Sequence, residues 1–397
     1  MRVLYVIDSL APGGTEQSTI VLAPHLRELG FESTIVTLKS AEHDLTPEAE
    51  AAGITVQRLN SGRLPKRVRE LRRLIRSGKF DVVHTALFDA DQLGRVAAWG
   101  TGVPVVSSFV NTPYDPARLA DPNVNKWKLR FVQLIDAVTG RLMVNRFHAV
   151  SEGAKVANAR ALRIPERRVT VAERGRDAGL LGERTDERRT ASRVALGLGP
   201  DAQVVLNLGR QDYQKAQTVL IEAAALLSGS HPNLVVLIAG KHGSASADVQ
   251  RALGEPLAAR HVRLLGHRSD IGDLLCAADV LAISSHFEGT AGAAVEAMAL
   301  STPIVSTNLA GLQGVLEDGR NALLVPINSS QELANGLGRL LDDATVSSRL
   351  ATRAHADFIE RFTLNSAAVR LAELYGSVQK HLTTSPLVRP VDMSIRE

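Results

Sequence analysis

The sequence predicts an α/β protein of two Rossmann-like, doubly wound domains that face a central cleft. Three observations lead there. Short apolar, β-branched runs alternate with helically spaced segments, and the alternation occurs in two rounds. The 397 residues are too many for one ordinary core and suit two. A charged stretch over 179–203, containing GLGPD, parts the two rounds.

In the first round, RVLYVI, STIVTL, ITVQRL, DVVHT, VPVVSSF and FHAVS read as strands. Helical spacing fills Glu16–Leu29 and Leu64–Ile75 between them. Strands that are apolar throughout imply a parallel sheet covered on both faces. Right-handed crossovers then wind it doubly. The second round opens near Val204, with VVLNLG, LVVLIAG, VRLLG, DVLAIS and PIVST as its strands. The expected division is 1–177, 178–360, a helical segment 361–381, and a mobile tail 382–397 carrying two prolines and no periodicity.

Composition narrows the function. Hydrophobic residues make up 45% and charged residues 22%, as in an ordinary globular protein. Aromatics at 4% argue against a nucleic-acid binder built on stacking platforms, so no nucleic acid is expected. Cys276 is the single cysteine, set in the apolar run LLCAADVLA, and reads as a small buried hydrophobe. The start, MRVLYVIDSL, lacks the apolar core of a signal peptide. No stretch approaches the roughly 20 apolar residues of a membrane span. The expected location is cytoplasmic. Positive charge concentrates at 63–79, RLPKRVRELRRLIRSGK, with Val68, Leu71, Leu74 and Ile75 at helical spacing. Two readings stand for it: a solvated basic face packed on a sheet, or peripheral docking to an anionic membrane or acidic acceptor.

Ligands of open α/β sheets bind beyond the carboxyl ends of the strands, so the chemistry belongs in the loops there. After the first strand comes SLAPGGTEQ. Gly13 and Gly14 let backbone approach a ligand closely, and a helix start offers N–H groups to anions. The spacing is not the G-x-G-x-x-G of a nicotinamide enzyme. In the second domain, VVLNLGRQDYQKA places Arg210 and Lys215 at a strand end. Two fixed cations there stabilise the charge that develops on a departing diphosphate. Arg174 and Arg176, in AERGRD at the domain junction, are further cleft candidates. The strongest feature is SSHFEGTAGAAVEAMALSTPIVST. Glu288 precedes a helix and Glu296 falls in its second turn, hemmed by Ala, Val and Met, where an unpaired carboxylate is costly. A carboxylate so placed accepts hydrogen bonds from a ribose diol, and Gly289, Thr290, Ala291 and Gly292 leave room for phosphates at the helix start.

Taken together and in order, these segments resemble family 4 of the GT-B glycosyltransferases, which move sugars from nucleotide donors with retention of configuration. The resemblance runs through APGGTE, DVVHT, HAVSE, VTVAERGRD, LGR with Lys215, LIAG, VRLLGHRSDI, AADVLAISS, the paired glutamates, and ALLVP after EDGRNA. It implies that Arg210 and Lys215 hold the donor diphosphate and that Glu296 binds the ribose. Glu288 then faces the donor sugar, and the backbone of Gly266, His267 and Arg268 reads the base. Gly13 and Gly14 admit the donor beneath the first domain, and the last helix crosses back onto that domain. UDP is the expected carrier, GDP the alternative. The nucleotide sugar is a substrate; no cofactor and no metal are expected.

The sequence departs from the family pattern in three places. Thr290-Ala291 follows the first glutamate where many members carry Phe-Gly or proline. Asn111 stands near the usual histidine of the first domain; it hydrogen-bonds a sugar hydroxyl but is no acid or base. Glu173-Arg174-Gly175 replaces a proline-asparagine-glycine turn. Asn111, Arg174 and Arg176 are the expected acceptor-side residues, with the loop 110–125 shaping that pocket. Asp89-Ala90-Asp91 matches the metal-binding triplet of the other transferase architecture, but it lies in the acceptor domain. His84 and His148 sit in apolar strands and read as structural. The expected reaction is front-face displacement onto a hydroxyl acceptor. An epimerase or hydrolase of the same architecture, or a non-catalytic nucleotide-sugar subunit, are the competing readings.

Overall fold

A computed structural model of the protein describes residues 1–384 except 60–61, 117, 119–123 and 289–291, with side chains as far as Gln379. The first domain is a seven-stranded parallel sheet. Its strands are β1 (Arg2–Ile7), β2 (Glu32–Thr37), β3 (Thr55–Arg58), β4 (Val82–Ala86), β5 (Val105–Phe109), β6 (Arg146–Ala149) and β7 (Val169–Val171), in the order β3-β2-β1-β4-β5-β6-β7. The second is a six-stranded parallel sheet of β8 (Gln203–Leu208), β9 (Leu234–Ala239), β10 (Val262–Gly266), β11 (Val280–Ile283), β12 (Ile304–Thr307) and β13 (Leu323–Val325), ordered β10-β9-β8-β11-β12-β13. Each sheet therefore reverses its winding once, between β1 and β4 and between β8 and β11. Those are the crevices where open α/β sheets take ligands.

The interior strands are buried on both faces, as continuous apolar runs require. Two of the strands, β7 and β13, are not among those the apolar runs predict. Each is three residues long and lies at a sheet edge, too short to show a period. The two faces of each sheet are covered by separate apolar clusters. The helix Leu64–Ser77 starts with Pro65 in its first turn, buries Leu71 and Ile75, and turns Lys66, Arg69, Arg73 and Arg76 outward. The helix Lys126–Met143 does not follow a single apolar face. It has apolar residues on two sides, which is why helical spacing does not reveal it. Its first turn is capped by the Asn125 side chain, which accepts from the Lys128 N–H at 3.0 Å.

Between β7 and β8, the short helices Ala178–Leu181 and Asp186–Ala195 lie on the second domain. Arg188 bonds Asp273 at 2.8 Å, and Arg189 bonds Asp279 at 2.5 Å. The two domains meet directly where the helix Glu152–Leu162 faces the turn Ala310–Leu312. Ser151 Oγ donates to the Gly311 carbonyl at 2.9 Å. A Cβ at Gly153 would overlap the Ala310 carbonyl, so only glycine permits this approach. The helix Ala344–Arg361 buries Phe358 in the second domain, and Phe362 follows it there. The helix Leu364–Thr384 buries Leu371, Leu374, Tyr375 and Val378 in the first. Helix thus continues past His381 to Thr384, where the sequence reading begins a tail; residues 385–397 of that segment lie outside the described residues.

Candidate active site

The loop after β8 and the loop after β11 lie on either side of the second crevice. Lys215 Nζ is 2.6 Å from Glu288 Oε1. Ser285 Oγ donates to the same oxygen at 2.7 Å, and Gln214 Nε2 to Oε2 at 3.1 Å. The Glu288 carboxylate is buried, and these three donors satisfy it. The loops are also tied through backbone: His286 N–H donates to the Gln214 carbonyl at 2.8 Å, and Ser284 Oγ to that of Lys215 at 2.9 Å. Gln214 and Ser285 are site residues that the sequence reading missed. Nothing but adjacency to Lys215 and Glu288 marks them.

Arg210 leaves the end of β8 and pairs with Asp212, its side chain largely exposed. Asp212 is itself held by the Ser244 N–H at 2.9 Å. Arg210 and Lys215 are therefore each paired to their own carboxylate, not set side by side as bare cations. The loops after β8, β9 and β10 form a row: Gln211 N–H donates to the Lys241 carbonyl at 2.9 Å and Gly240 N–H to that of Gly266 at 2.8 Å. Gly266 adopts φ +65°, turning the chain at the end of β10. His267 follows it, exposed, and Arg268 forms a two-pronged ion pair with Asp270.

Glu296 lies in the second turn of the helix Gly292–Ala299. Its carboxylate accepts from Arg176 Nε at 2.9 Å, across 120 residues of chain. Arg176, expected among the acceptor residues, is thus placed against Glu296, expected on the donor side, because its own N–H bonds the Phe362 carbonyl at 2.9 Å and orients the junction that way. Two small hollows of about 20 Å³ meet at Gly292. One is bordered by Arg174 and Arg176, the other by Lys215 and Glu288. Gly289, Thr290 and Ala291 lie outside the described residues.

From the first domain, Gly13 caps the helix Gly14–Glu28 with extended backbone. The Glu16 carboxylate folds back beside Gly13, where a Cβ would press on it. Burial raises Glu16 against the pull of its own backbone N–H and of Arg174. Arg174 Nη2 donates to Thr15 Oγ1 at 3.0 Å. Burial, with Arg176 nearby, lowers the Arg174 guanidinium to about 10. Gly13, Gly14, Arg174, Arg176 and Glu296 are therefore one constellation across the domain junction.

Asn111 is placed apart from it. It lines a cavity of about 450 Å³ at the carboxyl ends of β4 and β5, with Phe109, Tyr114, Lys128, Asp136 and Asn158. Asn158 Nδ2 holds the Asn111 carbonyl at 2.9 Å. At the cavity's base Arg95 pairs with Asp136 at 2.5 Å and Asp91 at 3.5 Å, and Tyr114 Oη donates to Asp136 at 2.8 Å. Burial pushes Asp91 up to about 6 despite Arg95. Asp89 pairs with Lys39 at 2.6 Å instead, so the two carboxylates of the Asp89-Ala90-Asp91 triplet serve separate ion pairs. A further concavity of about 890 Å³ borders Arg184, Arg193 and Ser347, and none of the candidate residues lines it.

Comparison with known proteins agrees with this fold. Residues 12–180 match the family Glycosyltransferase Family 4, and residues 202–343 match Glycosyl transferases group 1. The D-inositol 3-phosphate glycosyltransferase of Thermobispora bispora is 29% identical over 398 aligned residues, covering 91% of this chain and 89% of its own. HepE of Anabaena, crystallised with UDP, superposes with a TM-score of 0.83 at 21% identity, covering 95% of this chain and 100% of that one. The same protein with UDP-glucose gives 0.81 at 22%, with the same coverage. Two facing parallel sheets and these matches over both halves show that the chain is an enzyme, a glycosyltransferase of the GT-B type, whose first half matches Glycosyltransferase Family 4 and whose second matches Glycosyl transferases group 1.

Proposed function

We propose that the protein transfers a hexose from a nucleoside-diphosphate donor, UDP-linked, to a hydroxyl acceptor, with retention of configuration. The observation that carries this is the Lys215–Glu288 pair joining the loops after β8 and β11. A donor diphosphate entering the crevice competes with Glu288 for Lys215, and the sugar's hydroxyls donate to the carboxylate so released. The Arg176–Glu296 pair offers the same exchange one step along, where a ribose diol takes Glu296. Both carboxylates, Glu288 buried and Glu296 partly exposed, thus stay paired before and after binding. HepE, which shares the fold and was crystallised with UDP and with UDP-glucose, supports the choice of carrier and hexose.

As the glycosidic bond breaks, negative charge gathers on the diphosphate. Lys215 and Arg210 stabilise it without a metal, and the helix start at Gly292 adds its N–H groups. The acceptor sits in the 450 Å³ cavity, where Asn111 and Tyr114 bond its hydroxyls. It approaches from the face the diphosphate leaves, and the departing phosphate takes its proton. Glu288 bonds sugar hydroxyls in this scheme and is not an attacking group.

The experiment is a thermal-shift screen against nucleoside diphosphates and their sugar conjugates, with and without chelator. A ligand at 100 times its Kd stabilises by about 2.7 kcal/mol. The expected outcome is a UDP and UDP-hexose response that survives chelator. Proton NMR of the product then reads the anomer; an inverted product, or turnover without any acceptor, overturns the proposal.

A further inference from the structure

The helix Lys126–Met143 leaves Trp127, Phe131, Leu134, Val138 and Leu142 exposed, Trp127 to 80%. They recur at intervals of three and four residues, which puts them on one stripe. The other exposed positions of this helix are Lys126, Lys128, Arg130 and Arg141. Its one acid, Asp136, is buried against Arg95. The outer surface of the helix is thus large apolar groups edged by cations.

The basic helix Leu64–Ser77 lies on the same side of the first sheet. Both helices feed one apolar cluster, through Leu71 and Ile75 and through Ala137. The helix Phe88–Ala98 stands between them, bound to the first by Arg72 on the Ala97 carbonyl at 3.0 Å and to the second by Arg95 on Asp136. Leu64 and Trp99 are exposed on this side as well. One face of the domain therefore joins an aromatic and aliphatic stripe to a second row of cations at Lys66, Arg69, Arg73 and Arg76.

We propose that this face docks on an anionic phospholipid bilayer, with Lys126–Met143 lying in the plane of the interface. Rings and leucines enter the boundary between headgroups and acyl chains, while long basic side chains reach phosphates. Charge complementarity selects this occupant. A second copy of the chain meeting the stripe about a two-fold axis would set cations against the same cations. The sequence points to 63–79 alone for membrane contact; the structure adds the apolar anchor that a purely basic helix lacks. Among the described residues no helix is long and apolar enough to cross a membrane, so contact of this kind is peripheral.

The test is co-sedimentation of the whole chain with phosphatidylcholine vesicles, with and without phosphatidylglycerol, at low and high salt. Binding is expected only with phosphatidylglycerol, weakened by salt, with a blue shift of tryptophan emission. The pair Trp127→Ser and Phe131→Ser should weaken binding by about tenfold or more, since both lose apolar burial. Because both side chains are exposed, the melting temperature should not change. Arg69→Glu with Arg73→Glu should weaken binding while leaving self-association unaltered. The proposal is overturned by absence of binding at low salt, or by vesicle binding unchanged in the serine pair. It is equally overturned by a wild-type dimer that the serine pair converts to monomer.

Discussion

The Tyr375 hydroxyl, on the last helix, lies 2.6 Å from Nδ1 of His84 on β4. That contact is one link of a buried chain across the first sheet. Tyr5 Oη is 2.7 Å from Tyr375 Oη, His84 Nε2 is 2.6 Å from Ser108 Oγ, and Ser108 Oγ is 2.7 Å from His148 Nδ1. His148 Nε2 ends it, 2.8 Å from the Ala172 carbonyl. A carbonyl only accepts, so His148 carries its proton on Nε2. Ser108 then donates to His148, His84 to Ser108, Tyr375 to His84 and Tyr5 to Tyr375. One acceptor thus orders every proton between the last helix and the domain junction, and both imidazoles are neutral.

Tyr375→Phe removes the donor to His84 and the acceptor of Tyr5 without opening a cavity. Two buried polar groups are left unpaired, and the expected loss of stability is about 2–4 kcal/mol. Urea unfolding measures it. A loss under about 0.5 kcal/mol, the range of surface substitutions, would mean that the chain is not formed.

The same chain makes stability depend on pH. Burial lowers His148 to about 4 and His84 well below its ordinary value near 6.5. The unfolded state therefore binds more protons between about pH 6.5 and 4, and stability falls as pH falls through that window. His148→Gln keeps a donor for Ala172 and removes one titrating group. The slope of unfolding free energy against pH, measured from 6.5 to 5, should drop by up to about 1.4 kcal/mol per pH unit.

Glu173, in the junction, pairs with Arg361 at 2.6 Å and Arg370 at 2.7 Å, one from each of the last two helices. Burial pushes its carboxyl up, but the bond from Arg361 and the charge of both arginines outweigh this and hold it below its ordinary value near 4.5. This stability is present above the ordinary value and lost as pH falls through the lowered one. Glu173→Gln should cost about 2–3 kcal/mol. It should also speed proteolysis near Phe362–Thr363, read by timed limited digestion.

Lys215→Met strips the buried Glu288 of its cation, with an expected cost of about 3 kcal/mol. Adding Glu288→Gln removes the orphaned charge and should restore most of that stability. Transfer should stay at least about a hundredfold down in the double variant, because the cation proposed to hold the diphosphate is still missing. Calorimetric melts and initial rates separate the two effects. Recovery of rate along with stability would reduce the pair to a structural role.

Glu296→Ala should weaken UDP binding by about tenfold to a hundredfold, the value of a charge-assisted hydrogen bond or two. Glu296 is partly exposed, so the fold should survive. Unchanged affinity in titration calorimetry would remove Glu296 from the ribose site.

The sequence by itself determined the two doubly wound sheets and the loops that carry the paired charges. Burial on both faces leaves a signature in each central strand, and a turn between strand and helix is written in local glycines and polar residues. Edge strands as short as β7 and β13 carry no such period. Pairing is a different kind of property. That Arg176 meets Glu296, that Lys215 meets Glu288, and that Glu173 clasps both last helices depend on residues 73 to 197 positions apart. Folding of the second sheet, which sets β8 beside β11, brings Lys215 to Glu288, while the meeting of the two domains and the return of the last helices brings the others within hydrogen-bond reach. The stripe on Lys126–Met143 was likewise decided by tertiary structure, since its apolar residues divide between the core and the outside according to which side of the helix the sheet covers.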